Sequence, residues 1–294
     1  MPKHPKLPEQ AFTLYDQFAH GRINRRAFLS GLGKLSVGAL TTSIMLDALM
    51  PNYALAEQVS FNDPDIIASY QEFSSPDGYG TGKGYRVEPS KLDKPAPLVL
   101  VIHENRGLNP YIKDVARRFA KQGFIAFAPD GLYPVGGYPG NDEQGKKMQA
   151  SMDKDKLAND FFAAAKSLKG DGKGNGKLGV IGFCYGGGMV NKIVTEAPDL
   201  ADAAVPFYGA APDLAKVKNI QAPLMIQMGE LDEWVNAMWP DYEKALKTAN
   251  KDYQAFVYPG ARHGFHNDST ARYDQVNAEL AWQRTLAFFN QHLA

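Results

Sequence analysis

The sequence predicts an α/β fold: a doubly wound, mostly parallel sheet flanked by helices, beginning near Glu57. Three observations carry that expectation. Continuous apolar, β-branched runs recur, such as Leu98-Val99-Leu100-Val101-Ile102 and Phe124-Ile125-Ala126-Phe127-Ala128, and such runs are buried on both faces, as parallel strands are. Segments with helical apolar spacing alternate with them, for example Leu157, Phe161, Phe162, Ala165 and Leu168. The chain has 294 residues, 44% hydrophobic and 22% charged, which is ordinary for a globular protein, and one α/β domain of about 200–250 residues fits the part after residue 56.

In chain order, residues 57–75 lack clean periodicity, and part of them is expected to form a short helix. The Gly-rich stretch 76–84 reads as a turn between edge strands. The run 98–102 is the first buried strand. Residues 110–122 form a helix with Val115, Ala116 and Phe119 on one side, and 124–128 the next strand. Residues 130–146, rich in Gly, Pro and Tyr, are expected to be a long loop at the sheet's C-terminal edge, followed by a helix over 151–168. Gly170 to Lys177 reads as a flexible connector. It is no phosphate-binding loop, because its Gly spacing is wrong and Leu178 stands where a metal-binding Ser or Thr is needed. Strand 178–181, helix 185–197, strands 203–207 and 224–228, helix 236–250, strand 253–258 and a closing helix 274–292 follow. In such sheets ligands bind beyond the C-terminal strand ends.

The first 56 residues read as an address. Arg25-Arg26, with Ala27-Phe28-Leu29 behind them, has the form of a twin-arginine export signal. A mostly apolar or small stretch runs from Leu35 to Met50, and Ala54-Leu55-Ala56 supplies a small-x-small cleavage pattern. Lys34 at the edge of the stretch and Asp47 inside it argue against a permanent membrane span. The expectation is a cleaved signal peptide over 1–56, a folded domain over 57–294, the twin-arginine export machinery as partner and a periplasmic location. A cytosolic chain with an amphipathic N-terminal helix is the plainer alternative. Formal net charge is zero; residues 1–56 hold six of the 32 Lys/Arg and three of the 32 Asp/Glu, which leaves 26 bases against 29 acids. No nucleic-acid partner is expected from that balance. Oligomeric state is not legible.

The chemistry centres on the one cysteine. Gly182-Phe183-Cys184-Tyr185-Gly186 follows a strand and opens a helix, which is the nucleophile-elbow pattern of an α/β-hydrolase with Cys in place of Ser. The helix N-terminus favours a thiolate, and the amide of Tyr185 points where an oxyanion would form. A buried structural cysteine in a Gly-rich turn is the bland alternative. Of the histidines, His4 and His20 fall in the export segment, His292 in the C-terminal tail, and His103 on the wrong side of the chain order. His263, in Pro259-Gly260-Ala261-Arg262-His263-Gly264-Phe265 after the last strand, is the expected base, with His266 as the fallback. Gly229-x-x-Asp232 after a strand supplies the carboxylate that orients it, and Glu230 and Glu233 read as solvated neighbours. The order Cys184, Asp232, His263 is nucleophile, acid, base.

With these residues in view, the stretch from about residue 73 to 292 resembles the dienelactone hydrolase family. The matching segments are His103-Glu104, Gly182-Phe183-Cys184-Tyr185-Gly186-Gly187, Gly229-x-x-Asp232 and His263-Gly264-Phe265. The resemblance implies an α/β-hydrolase fold and hydrolysis of a small ester or lactone through a Cys-His-Asp triad. It also implies that Glu104 contacts the cysteine and helps it lose its proton, and that the amide of Asn105 is the second oxyanion donor. A plainer role for Glu104 is an ion pair with Arg106. The family's substrate arginines have no counterpart here: Pro134 and Val135 follow Pro129–Tyr133, and His266-Asn267-Asp268 follow the base, with Arg272 farther on. A carboxylated lactone is therefore not the expected substrate. Tyr133, Tyr138, Trp234 and Trp239 are candidates for an aromatic pocket, and Tyr133, Trp234 and Arg106 for substrate contact. No metal and no organic cofactor is implied, since no ligand spacing is present. Two other classes stay open: a catalytically idle exported binding protein of this fold, and a thiol-redox protein using Cys184.

Overall fold

The computed structural model describes residues 7–19, 21–53 and 57–294. The expected cleavage pattern Ala54-Leu55-Ala56 lies outside the described residues. Eight strands form one sheet: β1 (Ile66–Ser75), β2 (Gly80–Pro89), β3 (Ala96–Ile102), β4 (Ile125–Pro129), β5 (Gly174–Phe183), β6 (Ala203–Phe207), β7 (Leu224–Gly229) and β8 (Tyr253–Tyr258). Their order is β1-β2-β4-β3-β5-β6-β7-β8. β1 and β2 are antiparallel, β2 runs antiparallel to β4, and every pairing from β4 to β8 is parallel. This is the α/β-hydrolase fold. Leu98 to Ile102 on β3 are wholly buried, and each fully buried aliphatic side chain contributes about 1.5–3 kcal/mol.

Six helices accompany the sheet: α4 (Pro110–Lys121), α5 (Asp142–Ala150), α6 (Lys154–Lys169), α7 (Tyr185–Glu196), α8 (Glu233–Thr248) and α9 (Gln275–Leu293). Asn109 caps α4, its side chain accepting from the Ile112 amide at 3.1 Å, with Pro110 at the first helical position. Phe119 on α4 packs against Trp282 and Phe289 on α9, while α6 and α7 meet each other. A parallel sheet needs this cover, because its strands are apolar on both faces.

Before the sheet stand α1 (Glu9–Ala19), α2 (Arg25–Lys34) and α3 (Thr42–Leu49). They enclose a core of their own made by Ala11, Tyr15, Phe28, Leu32, Met45 and Leu49. Asn24 and Thr41 cap α2 and α3 through bonds from the amides of Ala27 (2.9 Å) and Ile44 (3.3 Å). The stretch 35–50, expected as the apolar part of a leader, thus contains a helix of only eight residues. No described helix is long and apolar enough to cross a membrane.

Four segments differ from expectation, one being the turn expected over 76–84, which ends at Tyr79 because Gly80–Gly84 already pair with β1 as part of β2. Residues 57–75 hold strand β1 rather than a short helix; most of its residues are solvent-exposed, so no apolar pattern marked it. Residues 130–146 are not one long loop: a short 3-10 helix spans Tyr133–Val135 and α5 starts at Asp142. Residues 174–177, expected within a flexible connector, extend β5 beyond the buried part of the sheet.

Candidate active site

β5 delivers Cys184 to the start of α7 through a sharp turn. Cys184 has φ 56° and ψ −111°, a conformation that costs an L-residue free energy and aims its side chain clear of the sheet edge. The turn closes only because Gly182 lacks a side chain: a Cβ there would lie 2.2 Å from the Gly186 carbonyl oxygen. The Cys184 amide donates to the Phe207 carbonyl at 3.1 Å, which ties the elbow to the end of β6. Tyr185 is the first residue of α7, so its amide has no acceptor inside the helix.

Asp232 sits where β7 gives way to α8 and serves two groups at once. It is the N-cap of α8, one oxygen accepting from the Val235 amide at 3.2 Å. Its other oxygen lies 2.6 Å from His263 Nδ1. The loops after β7 and β8 come this close because Gly229 leaves room; a Cβ there would lie 2.6 Å from the Ala261 carbonyl oxygen. His263 is hydrogen-bonded in turn to Cys184. Burial opposes charge on His263, but Asp232 and Cys184 outweigh it and hold its pKa well above the ordinary imidazole value. The other candidate bases are engaged elsewhere. His103 uses both ring nitrogens, one accepting from the Gly131 amide at 3.0 Å and one against the Glu104 carbonyl at 2.5 Å. His266 meets the Tyr111 hydroxyl at 2.7 Å, and burial and Arg118 push its pKa down to about 3.

Glu104 follows β3 and is buried, 2% exposed. Burial pushes its pKa up and the nearby Cys184 does the same, against the pull of Arg106 and Arg272. Asn267 Nδ2 donates to its Oε2 at 3.0 Å. The ion pair expected between Glu104 and Arg106 is replaced by another: Arg106 Nη1 donates to Asp142 Oδ2 at 2.7 Å, and Nη2 to the Tyr15 hydroxyl at 3.3 Å. Arg106 is therefore turned away from substrate, because α5 and α1 supply its partners.

A cavity of about 830 Å³ opens at Cys184 and is lined also by Asn105, Tyr185, Met189, Gln149 and Trp234. It carries the cations Arg22, Lys146, Lys154 and Lys192 against one carboxylate, Asp155. A second cavity of about 280 Å³ reaches His263 and Asp232, and Trp234 and Arg22 line both. The Trp234 ring lies 6.2 Å from that of His263, and the Tyr208 ring 5.0 Å. Tyr133 is outside the lining. Its hydroxyl donates to Glu72 at 3.2 Å and Lys83 lies over its ring, so β1 and β2 occupy it. The Tyr138 hydroxyl is spent on Asp142 at 2.7 Å, and the Trp239 ring packs on Tyr242 and Tyr253. Among the described residues, no group of three or more His, Cys, Asp or Glu is placed to hold a metal ion.

Sequence reading overlooked the helical segment at the cavity mouth, and with it Arg22. Lys146 escaped because it closes the stretch expected as loop, 130–146, and Gln149 because it falls between that loop and the helix expected over 151–168, where the structure has α5. Asn267 stands where a substrate arginine was sought, and no sequence signal marks it as the partner of Glu104.

Comparison with known proteins adds five likenesses. The profile of the dienelactone hydrolase family matches residues 83–293, and a second profile, described as YqhI-like, matches residues 3–37. A carboxymethylenebutenolidase, provisionally so named, of Aquifex aeolicus is 34% identical over 222 residues, 72% of this chain and 94% of that one. A hydrolase fragment of Escherichia coli, YghX, likewise provisional in name, is 57% identical over 114 residues, 39% of this chain and 97% of the fragment. Among solved structures, one provisionally named dienelactone hydrolase from Klebsiella pneumoniae aligns with a TM-score of 0.67 at 28% identity, covering 77% of this chain and 99% of that chain.

Proposed function

The chain belongs to the dienelactone hydrolase family and is a hydrolase of esters or lactones, and on that premise we propose that it works through Cys184, His263 and Asp232 by way of a thioester acyl-enzyme. The supporting observation is the unbroken line from Asp232 through His263 to Cys184, 2.6 Å at its first link. Cys184 Sγ attacks the substrate carbonyl, and its proton resides on His263, whose raised pKa suits it to hold one. The amides of Tyr185 and Asn105 receive the oxyanion. As the tetrahedral adduct collapses, the bond to the leaving oxygen breaks and His263 returns the proton to it. Water, deprotonated by His263, then attacks the thioester and frees the acid and the thiol. Glu104, buried against Cys184, offers a further site for the thiol proton when substrate fills the cavity. Arg22, Lys146 and Lys154 at that cavity, against the one carboxylate Asp155, support a substrate that carries negative charge of its own, while the fourth lining cation, Lys192, is paired with Glu196 at 3.2 Å.

The test is hydrolysis of p-nitrophenyl acetate and of a simple lactone by the full chain, Cys184→Ala and His263→Ala. Turnover that falls by about 10² or more in both variants is expected; unchanged turnover in either sinks the assignment.

We also propose an exported, periplasmic location by the twin-arginine route. Its support is the Arg25-Arg26 pair and the order of charged, apolar and small residues behind it. Cell fractionation of the parent and of a chain with both arginines changed to Lys checks it. A cytoplasmic parent would count against export.

A further inference from the structure

We propose that α1–α3 stay on the working enzyme as one wall of its active site, with Asp16 and Tyr15 as positioning residues for Arg272 and Arg106. The site enclosed is the one read above at Cys184.

One face of α1 presents Glu9, Phe12, Asp16 and Ala19 at helical spacing, and each touches a loop that carries catalytic groups. Arg262, the residue before His263, pairs with Glu9 and lies 4.6 Å over the Phe12 ring. Asp16 Oδ1 accepts from Arg272 Nη1 at 2.7 Å. The Ala19 carbonyl accepts from Asn105 Nδ2 at 3.2 Å. Between them, the Tyr15 hydroxyl accepts from Arg106, and its ring lies 4.8 Å beneath the Arg272 guanidinium. Arg22, just beyond α1, completes the lining of both cavities.

The electrostatics argue for permanence. The Arg272 side chain is 2% exposed because α1 covers it, the Tyr15 ring lying against its guanidinium and Asp16 pairing with it, and this hydrogen-bonded contact is lost with the segment. A leader discarded after export would take that carboxylate with it and leave the cation beside Glu104. The helical unit also has the marks of a lasting structure: its own core, capped helices, and a family profile matching residues 3–37 on its own account. Retention is at odds with the expected removal of residues 1–56, but not with export, because the twin-arginine route carries folded chains.

Three measurements decide it. The intact mass of the protein recovered from producing cells is expected to include α1–α3; an active mature chain beginning near residue 57 overturns the inference. Cys184 is the chain's one cysteine, so maleimide labelling of the full chain reads access to it alone and needs no turnover. A failure of the hydrolase reading therefore leaves this test intact. Labelling by a bulky maleimide is expected to rise about tenfold in Asp16→Asn and in Leu32→Asp, which opens the helical core, and to stay near the parent in Asp16→Glu. In the same two variants KM for a long-chain ester rises more than kcat falls. Asp16→Asn leaves the helical core untouched, so the comparison survives if Leu32→Asp does not fold. Labelling and KM unchanged in Asp16→Asn would overturn the wall.

Discussion

Replacing Asp232 by Asn separates its two duties. As N-cap of α8 it accepts from the Val235 amide, and Asn caps a helix about as well as Asp, so the helix start survives. Its duty to His263 does not. The 2.6 Å contact is a charge-assisted hydrogen bond, and the Asn side chain brings neither the charge nor, through its amide nitrogen, an acceptor. Burial then acts on His263 without Asp232 to oppose it, and its pKa falls. Loss of the orienting carboxylate in a Ser-His-Asp site costs about 10⁴ in kcat. A thiol depends less on its base, so the fall expected here is about 10²–10⁴, or ~3–5 kcal/mol of transition-state stabilisation. The assay is kcat for p-nitrophenyl acetate at neutral pH, with Tm measured alongside. Stability follows a definite pH course. Because folding raises the His263 pKa above 6.5, the Asp232 contribution is fully present below that value and fades as pH rises through the raised one. The Tm gap between parent and variant is thus widest in acid. A folded Asp232→Asn with kcat within about fivefold of the parent would refute the reasoning.

Three further outcomes are expected. Glu104→Gln trades activity for stability: folding raises its pKa above 4.5 through burial, so the native state favours the neutral form and the carboxylate costs stability once pH exceeds that value. Tm should therefore rise at neutral pH and gain nothing in acid, while kcat/KM falls; a lower Tm at neutral pH would contradict the account. Gly182→Ala places a Cβ 2.2 Å from a backbone oxygen, and denaturant titration should register a loss of about 2–4 kcal/mol; normal stability would mean that the elbow is looser than described. Steady-state kinetics should show a higher KM for Trp234→Ala and kcat/KM within about twofold of the parent for Tyr133→Phe. A large effect from Tyr133 would place substrate outside the cavity described.

The sequence was most legible where burial leaves a contiguous mark. β3, β4, β6 and β7 are wholly or almost wholly buried along their length, and each showed as an apolar run within two residues of its observed ends. Cys184 and Asp232 were legible because each follows such a run, whereas β8 before His263 has only its last residue buried, and His263 was legible from its place after the last strand in the chain order. β1, mostly exposed at the sheet edge, and α5, with its polar sequence DEQGKKMQA, carry no such mark. The N-terminal segment carries a pattern with two uses. Met45 and Leu49 fall in the stretch 35–50 expected as the apolar part of a leader, and with Phe28 and Leu32 they form the core of three short helices. Glu9, Phe12 and Asp16 on one face of α1 were the available signal. Their partners Arg262 and Arg272 lie some 250 residues away in sequence, a pairing no local pattern reveals.

The central claim is that Cys184 carries the acyl group. Rapid quenching of the full chain with an excess of a p-nitrophenyl ester, followed by peptide mass spectrometry, tests it most directly. The account predicts an acyl adduct on the peptide containing Cys184, removed by hydroxylamine and absent from Cys184→Ala. Turnover without that adduct, or an adduct on another residue with Cys184→Ala still active, would contradict it.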